Sequence, residues 1–220
     1  MNTNPKRVCF VYRLVMIAAG LFAVTVIFLS NLEDRVFPGA LAHTLAYFTI
    51  QSNLLVLGWN VASVVRGVRG REQRPYRPFI RAASAVYITI TCVVYALFIG
   101  PYWNPTGVMA VATILLHYII PIAFVIDWVI SEKPGSLKTR FIPLVIPYPL
   151  VYLGGSLIFA HFTGVYVYPF IDLAELGHRQ FLLNCAGLAA AFLVLGAVYF
   201  AVDRFKLYVY RRRTGSRIDA

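Results

Sequence analysis

Six stretches of about twenty or more largely apolar residues follow one another along this 220-residue chain, at 8–29, 41–65, 79–100, 106–130, 141–162 and 180–202. A helix of about 20 apolar residues is what crosses the hydrocarbon core of a bilayer. Helices are favoured there because they satisfy every backbone hydrogen bond internally. A soluble fold of this size could not hide so much apolar side chain, with 60% of residues apolar, 13% charged and a mean hydropathy of +0.72. The expected fold is therefore an all-α integral membrane protein, a six-transmembrane-helix bundle forming a single transmembrane domain over 1–220. The first run is too long for a signal-peptide core, and no small-residue cleavage site follows it.

The net charge of +11 would suggest nucleic acid in a soluble protein. Here it reads as orientation, because basic residues flank spans on the cytoplasmic side. Eighteen of the twenty Lys and Arg fall in the N-terminal flank, the second and fourth loops with their margins, and the tail. The opposite side has only Arg35 and Arg179. This split places both termini in the cytoplasm and fits an even number of spans. No nucleic-acid partner is expected, and the partners are membrane lipids.

Polar residues at membrane depth are costly and tend to face a bundle interior. At about 100° per residue, Thr49, Ser52, Asn53 and Asn60 share one stripe of the second span, with Gln51 nearly opposite. Thr106, Thr113, His117 and Pro121 share a stripe of the fourth. Both helices run outside to inside, so Thr49 and His117 come to similar depths and could face each other if the helices are neighbours. Three readings stay open. The residues could be interhelical hydrogen-bond glue. His117 could belong to a proton relay or transport path. Or Thr49 could be a nucleophile whose proton His117 accepts, since a threonine hydroxyl needs a base and neutral imidazole suits that role. In that reading Ser52 or Asn53 would supply an oxyanion donor. No carboxylate is placed to orient His117: Asp127 lies about 15 Å further along the axis and off that face.

Other chemistry has little support. The four histidines carry no H-x-x-x-H or H-E-x-x-H spacing, so no metal is expected. Gly154-Gly155 lacks the residues of a phosphate-binding loop, and no cofactor is expected. Cys9, Cys92 and Cys185 sit in or beside apolar runs at unrelated spacings and read as core residues.

The stretch His161-Phe-Thr-Gly-Val-Tyr-Val-Tyr-Pro-Phe170 resembles the T-G-x-aromatic-V-Y-P-F signature of the androgen-induced transmembrane hydrolases, found between their last two spans. Tyr47-Phe-Thr-Ile-Gln-Ser-Asn-Leu-Leu55 is similar to their second-span motif, and Leu116-His-Tyr-Ile-Ile-Pro121 to their fourth-span histidine-to-proline motif. The resemblance is specific at the V-Y-P-F loop and looser elsewhere, since proline follows the histidine here by four residues instead of five. It implies a hydrolase of fatty acid esters of hydroxy fatty acids, with Thr49 as nucleophile and His117 as base. A distant bacterial relative in the cytoplasmic membrane is the expectation. The alternative is a non-enzymatic membrane protein that binds or transports a lipid or small molecule. In the signature loop, Tyr166, Tyr168 and Pro169 are the candidate lid, because proline fixes its own φ and biases Tyr168 toward an extended backbone.

The orientation is testable directly. Single cysteines at Gly70, Gly135 and Gly215 should resist a membrane-impermeant thiol reagent in intact cells and react once the cells are opened. Labelling of any of them from outside would invert the topology.

Overall fold

The computed structural model describes residues 5–70 and 77–214, and among these all regular structure is helical. Arg71, Arg74 and Pro75 of the expected basic loop, with Gly215 and Arg217 of the tail, lie outside the described residues. The elements are α1 (Pro5–Asp34), α2 (Phe37–Leu45), α3 (Phe48–Val68), α4 (Pro78–Val94), α5 (Gly107–Ile114), α6 (Ile120–Ser131), α7 (Phe141–Leu144), α8 (Pro147–Thr163) and α9 (Leu173–Thr214). A π-turn, Tyr95–Ile99, extends α4, and a second, Leu115–Ile119, joins α5 to α6. Six of these helical stretches are long and apolar enough to cross a membrane: Arg7–Asp34, Phe48–Val68, Pro78–Tyr102, Gly107–Ser131, Phe141–Thr163 and Leu173–Thr214. Among the described residues the protein is all-helical, and its six long apolar helices are those of a polytopic membrane protein.

The helices depart from the apolar runs where local chemistry overrides hydropathy. The polar stretch after Leu29 is helical to Asp34, and Pro38 sits in the first turn of α2, where its missing amide costs nothing. The second run is broken. Its helix stops at Leu45 and restarts at Phe48, with Tyr47 extended between them (φ −83°, ψ 127°). Thr44 stabilises the break, donating to the Ala40 carbonyl at 2.7 Å and accepting from Asn31 Nδ2 at 2.9 Å. Thr49 is therefore the second residue of its helix, not eight residues into it. In the fifth run Pro143, Pro147 and Pro149 divide the chain into α7 and α8, with Pro147 opening α8. The last helix reaches well past its run at both ends. Asp172 Oδ1 accepts the amides of Ala174 and Glu175 at its start, and Gly177 (φ 66°) takes a left-handed bend that side chains disfavour.

The chain forms two compact units. The first comprises Met1–Tyr76 and Tyr87–Val125. Within it α1 packs along α2, α3 and α5. Its apolar centre is Ala23, Ile50, Ala112 and Leu116, where two alanines let backbones approach closely.

The second unit comprises Arg77–Val86 and Ile126–Ala220. Its interior holds charge. Arg81 pairs with Asp127 at 2.6 Å and with Glu132 at 3.1 Å, and Ser131 donates to Asp127 at 2.7 Å. Asp203, with no exposed surface, accepts the amides of Gly135, Ser136 and Leu137 at 3.1, 3.2 and 3.1 Å. Arg204 donates to the Leu137 carbonyl and Lys206 to that of Glu132. Together these side chains of α9 strap down the 132–137 loop. Gly135 is consequently a poor place for a labelling cysteine: its φ is +74°, and a Cβ there would come within 2.8 Å of Leu207. Exposed Thr139, in the same loop, is the better position.

Arg81→Met leaves Asp127 buried without its cation and should cost about 3–5 kcal/mol. Arg81→Met with Asp127→Leu should recover most of that loss, because the uncompensated charge is then gone. Unfolding midpoints of the purified protein in detergent measure both. A double variant no more stable than the single would show that the pair is not the dominant interaction.

Candidate functional site

The first unit brings Thr49 and His117 together. Thr49, 9% exposed at the start of α3, places Oγ1 3.3 Å from His117 Nε2 in the second π-turn. The other ring nitrogen, Nδ1, lies 2.9 Å from the carbonyl of Thr113. A carbonyl can only accept, so Nδ1 carries the hydrogen and Nε2 presents its lone pair to the threonine hydroxyl. A backbone carbonyl thus does the orienting for which no carboxylate was available in the sequence. Asp127 is engaged by Arg81.

The π-turn has a local cause. Pro121 has no amide hydrogen, so the turn before it must leave a carbonyl without its usual partner. Asn53 fills that gap: its Nδ2 donates to the Leu116 carbonyl at 3.1 Å and to the Thr49 carbonyl at 2.8 Å. One side chain thereby ties the backbone beside His117 to the backbone of Thr49. Its Oδ1 is buried and has no hydrogen-bond partner among the described residues. Ser52, fully buried, donates to the Thr49 carbonyl at 3.1 Å and meets the Thr91 hydroxyl of α4 at 2.8 Å. Both hydrogens of Asn53 and the Ser52 hydroxyl are thus committed to protein groups. In this arrangement the two residues position the pair and offer no obvious donor to an oxyanion. Asn60, further along the same stripe, donates to the carbonyl of Val56 in its own helix.

Tyr95 carries no sequence signal, yet it is in direct contact with His117. Its ring stacks on His117 with centroids 3.7 Å apart and planes at 23°, and Tyr118 meets Tyr95 edge-on. Thr113 had a signal, since it shares the His117 stripe, but no spacing argument predicts that its carbonyl is what the imidazole uses.

The signature loop belongs to the second unit. Tyr168 is buried at 7% exposure, with an extended backbone (φ −135°, ψ 129°), and Pro169 opens a single 3₁₀ turn, Pro169–Ile171. The Tyr168 ring stacks on Phe170 at 5.1 Å, and Asn184 holds the Phe170 carbonyl at 2.9 Å. An interfacial anchor would leave its ring exposed to headgroups, and Tyr168 does not. Tyr166 is half-buried. Among the described residues no cluster of three or more His, Cys, Asp or Glu could hold a metal ion.

Compared with protein-family models, curated proteins and solved structures, the chain matches none.

Replacing Asn53 by Leu removes both tethers and strips the Leu116 carbonyl of its side-chain donor, while the Thr49 carbonyl keeps Ser52, a loss of about 1–3 kcal/mol. The thermal midpoint should fall clearly further than for Ser52→Ala, whose carbonyl partner keeps a second donor in Asn53. Equal midpoints for Asn53→Leu and wild type would remove Asn53 from the framework of the site.

Proposed function

We propose that this protein is an intramembrane ester hydrolase, with both termini on the cytoplasmic side, in which Thr49 is the nucleophile and His117 the general base. The observation that carries the reading is the 3.3 Å approach of Thr49 Oγ1 to His117 Nε2, with the opposite ring nitrogen held at 2.9 Å by a carbonyl. Nucleophile, base and a group orienting the base are the three parts that an activated hydroxyl needs.

In the first half-reaction Thr49 Oγ1 bonds to the ester carbonyl carbon as its proton passes to Nε2. Collapse of the tetrahedral species breaks the ester C–O bond, and the imidazolium returns the proton to the departing alkoxide oxygen. Water then attacks the acyl-threonine, again losing a proton to Nε2, and the carboxylic acid leaves with the threonine hydroxyl restored. Substrates are carboxylic esters with long acyl chains, which partition to the depth of the site. Esters of hydroxy fatty acids are the first to test, on the strength of the resemblance in the V-Y-P-F loop.

Purified protein in detergent should release fatty acid from branched ester lipids. A fluorophosphonate lipid probe should modify Thr49, as located by mass spectrometry. Thr49→Ala should abolish labelling, and His117→Gln should slow hydrolysis by about 10²–10⁴-fold. The double variant should be little worse than either single, because the two act as a unit. Full activity of Thr49→Ala would remove the nucleophile. Absence of hydrolysis by wild type across several esters would leave lipid binding or transport as the role of the site.

A further inference from the structure

The two π-turns meet at one place. Tyr95 is the first residue of the turn that ends α4, His117 is the middle residue of the turn that opens α6, and their rings are stacked. A π-turn inserts one residue into a helix and rotates all that follows by about 100°. Such insertions occur often at functional sites. Here each helix carries one, and the ring of each lies against the other. Tyr95 is 6% exposed, so the stack is packed in protein.

The chain makes room for this contact at Gly100. Its φ of −54° is open to any residue, so the glycine is not required by the backbone. Space is tight: a Cβ at Gly100 would come 3.1 Å from Tyr95 Cε1, 3.2 Å from the Tyr95 carbonyl oxygen and 3.5 Å from the Tyr118 hydroxyl, so Tyr95 would have to give by a few tenths of an ångström. Gly100 and Tyr118 thus confine Tyr95 from the sides away from the imidazole.

We infer that Tyr95 is a positioning residue for the base: its ring holds the His117 imidazole in the plane that aims Nε2 at Thr49, and its π-face stabilises the imidazolium formed when the threonine proton is transferred. The inference rests on the Thr49–His117 hydrolase reading for its kinetic consequence but not for its structural one. Thr113 accepts from the nitrogen that carries the hydrogen, but a single hydrogen bond leaves the ring free to rock away and lose it. A face-to-face neighbour at 3.7 Å removes that freedom. An aromatic face also attracts a cation, an interaction strengthened by removal from water. The phenol hydroxyl has no part in either effect.

The full-length protein in detergent, with ¹⁵N-labelled histidine, tests this through two independent readouts. Nuclear magnetic resonance of His117 in wild type should show one neutral tautomer with hydrogen on Nδ1. Tyr95→Phe should keep it. Tyr95→Leu should show shifts averaged between tautomers, and Gly100→Ala, which alters neither ring, should move the signals part of the way. In the kinetic readout, Tyr95→Leu should lower kcat by about tenfold with KM within about twofold, and Tyr95→Phe should restore most of it. Fluorinated phenylalanines at position 95, which weaken the ring's negative face while keeping its shape, should lower kcat stepwise. A merely structural ring would not respond to fluorination. If Tyr95→Leu leaves both the tautomer and kcat as in wild type, the inference is overturned while the hydrolase stands. If wild type hydrolyses no ester, the hydrolase reading fails, and the tautomer measurement still decides whether Tyr95 sets the imidazole.

Discussion

A backbone polar group in hydrocarbon must find a partner inside the protein, since water cannot supply one. The arrangement around His117 follows from that requirement. Pro121 withholds an amide hydrogen, and the helix answers with a π-turn. Asn53 covers the Leu116 carbonyl from the neighbouring helix, and the imidazole takes the Thr113 carbonyl. Asn53 meets a carbonyl that Pro121 leaves without its backbone donor, and the Thr113 carbonyl accepts from the imidazole nitrogen that carries the hydrogen. The base of the proposed reaction is oriented by the same carbonyl accounting that holds the helix together. This is why a carboxylate is unnecessary. An orienting charge at this depth would carry a heavy desolvation cost, whereas a carbonyl is present already.

The second unit solves a different problem with charge. Arg81 meets two carboxylates, and Asp203 gathers three consecutive amides of a loop onto α9. Buried ions are tolerated there because every one is matched, by an opposite charge or by several donors. The result joins helices distant in sequence without relying on hydrophobic contact, which is a weak source of specificity among apolar spans surrounded by lipid.

The six long apolar helices were legible from hydropathy alone, because a helix that can cross a bilayer needs a set length and an apolar character. Boundaries were less legible. Hydropathy counts residues and is blind to capping, so it ran 41–65 together where Tyr47 turns the chain between α2 and α3. For the same reason it ended the last run at 202, although the helix continues through Arg213 to Thr214 on side chains that need no lipid. The proline-rich start of the fifth run was readable as a break, since Pro147 can open a helix but Pro143 and Pro149 cannot serve an unbroken one.

At the candidate site, helical periodicity was enough to select Thr49, Ser52, Asn53 and His117, because burying polar atoms in a membrane concentrates them on one stripe. The sequence by itself thereby picked out the inward-facing polar residues and allowed Thr49 and His117 to meet. It could not determine what each one touches. Asn53 and Ser52 have the same chemistry whether they donate to an oxyanion or to the Thr49 carbonyl, and only packing gave their hydrogens to the backbone. Tyr95 lies in an apolar run among residues of similar character, and nothing in that run distinguishes it. Two inserted residues, one in each π-turn, rotate it onto His117. The placement of such insertions is decided by tertiary fit, because it depends on which carbonyls the neighbouring helices can satisfy.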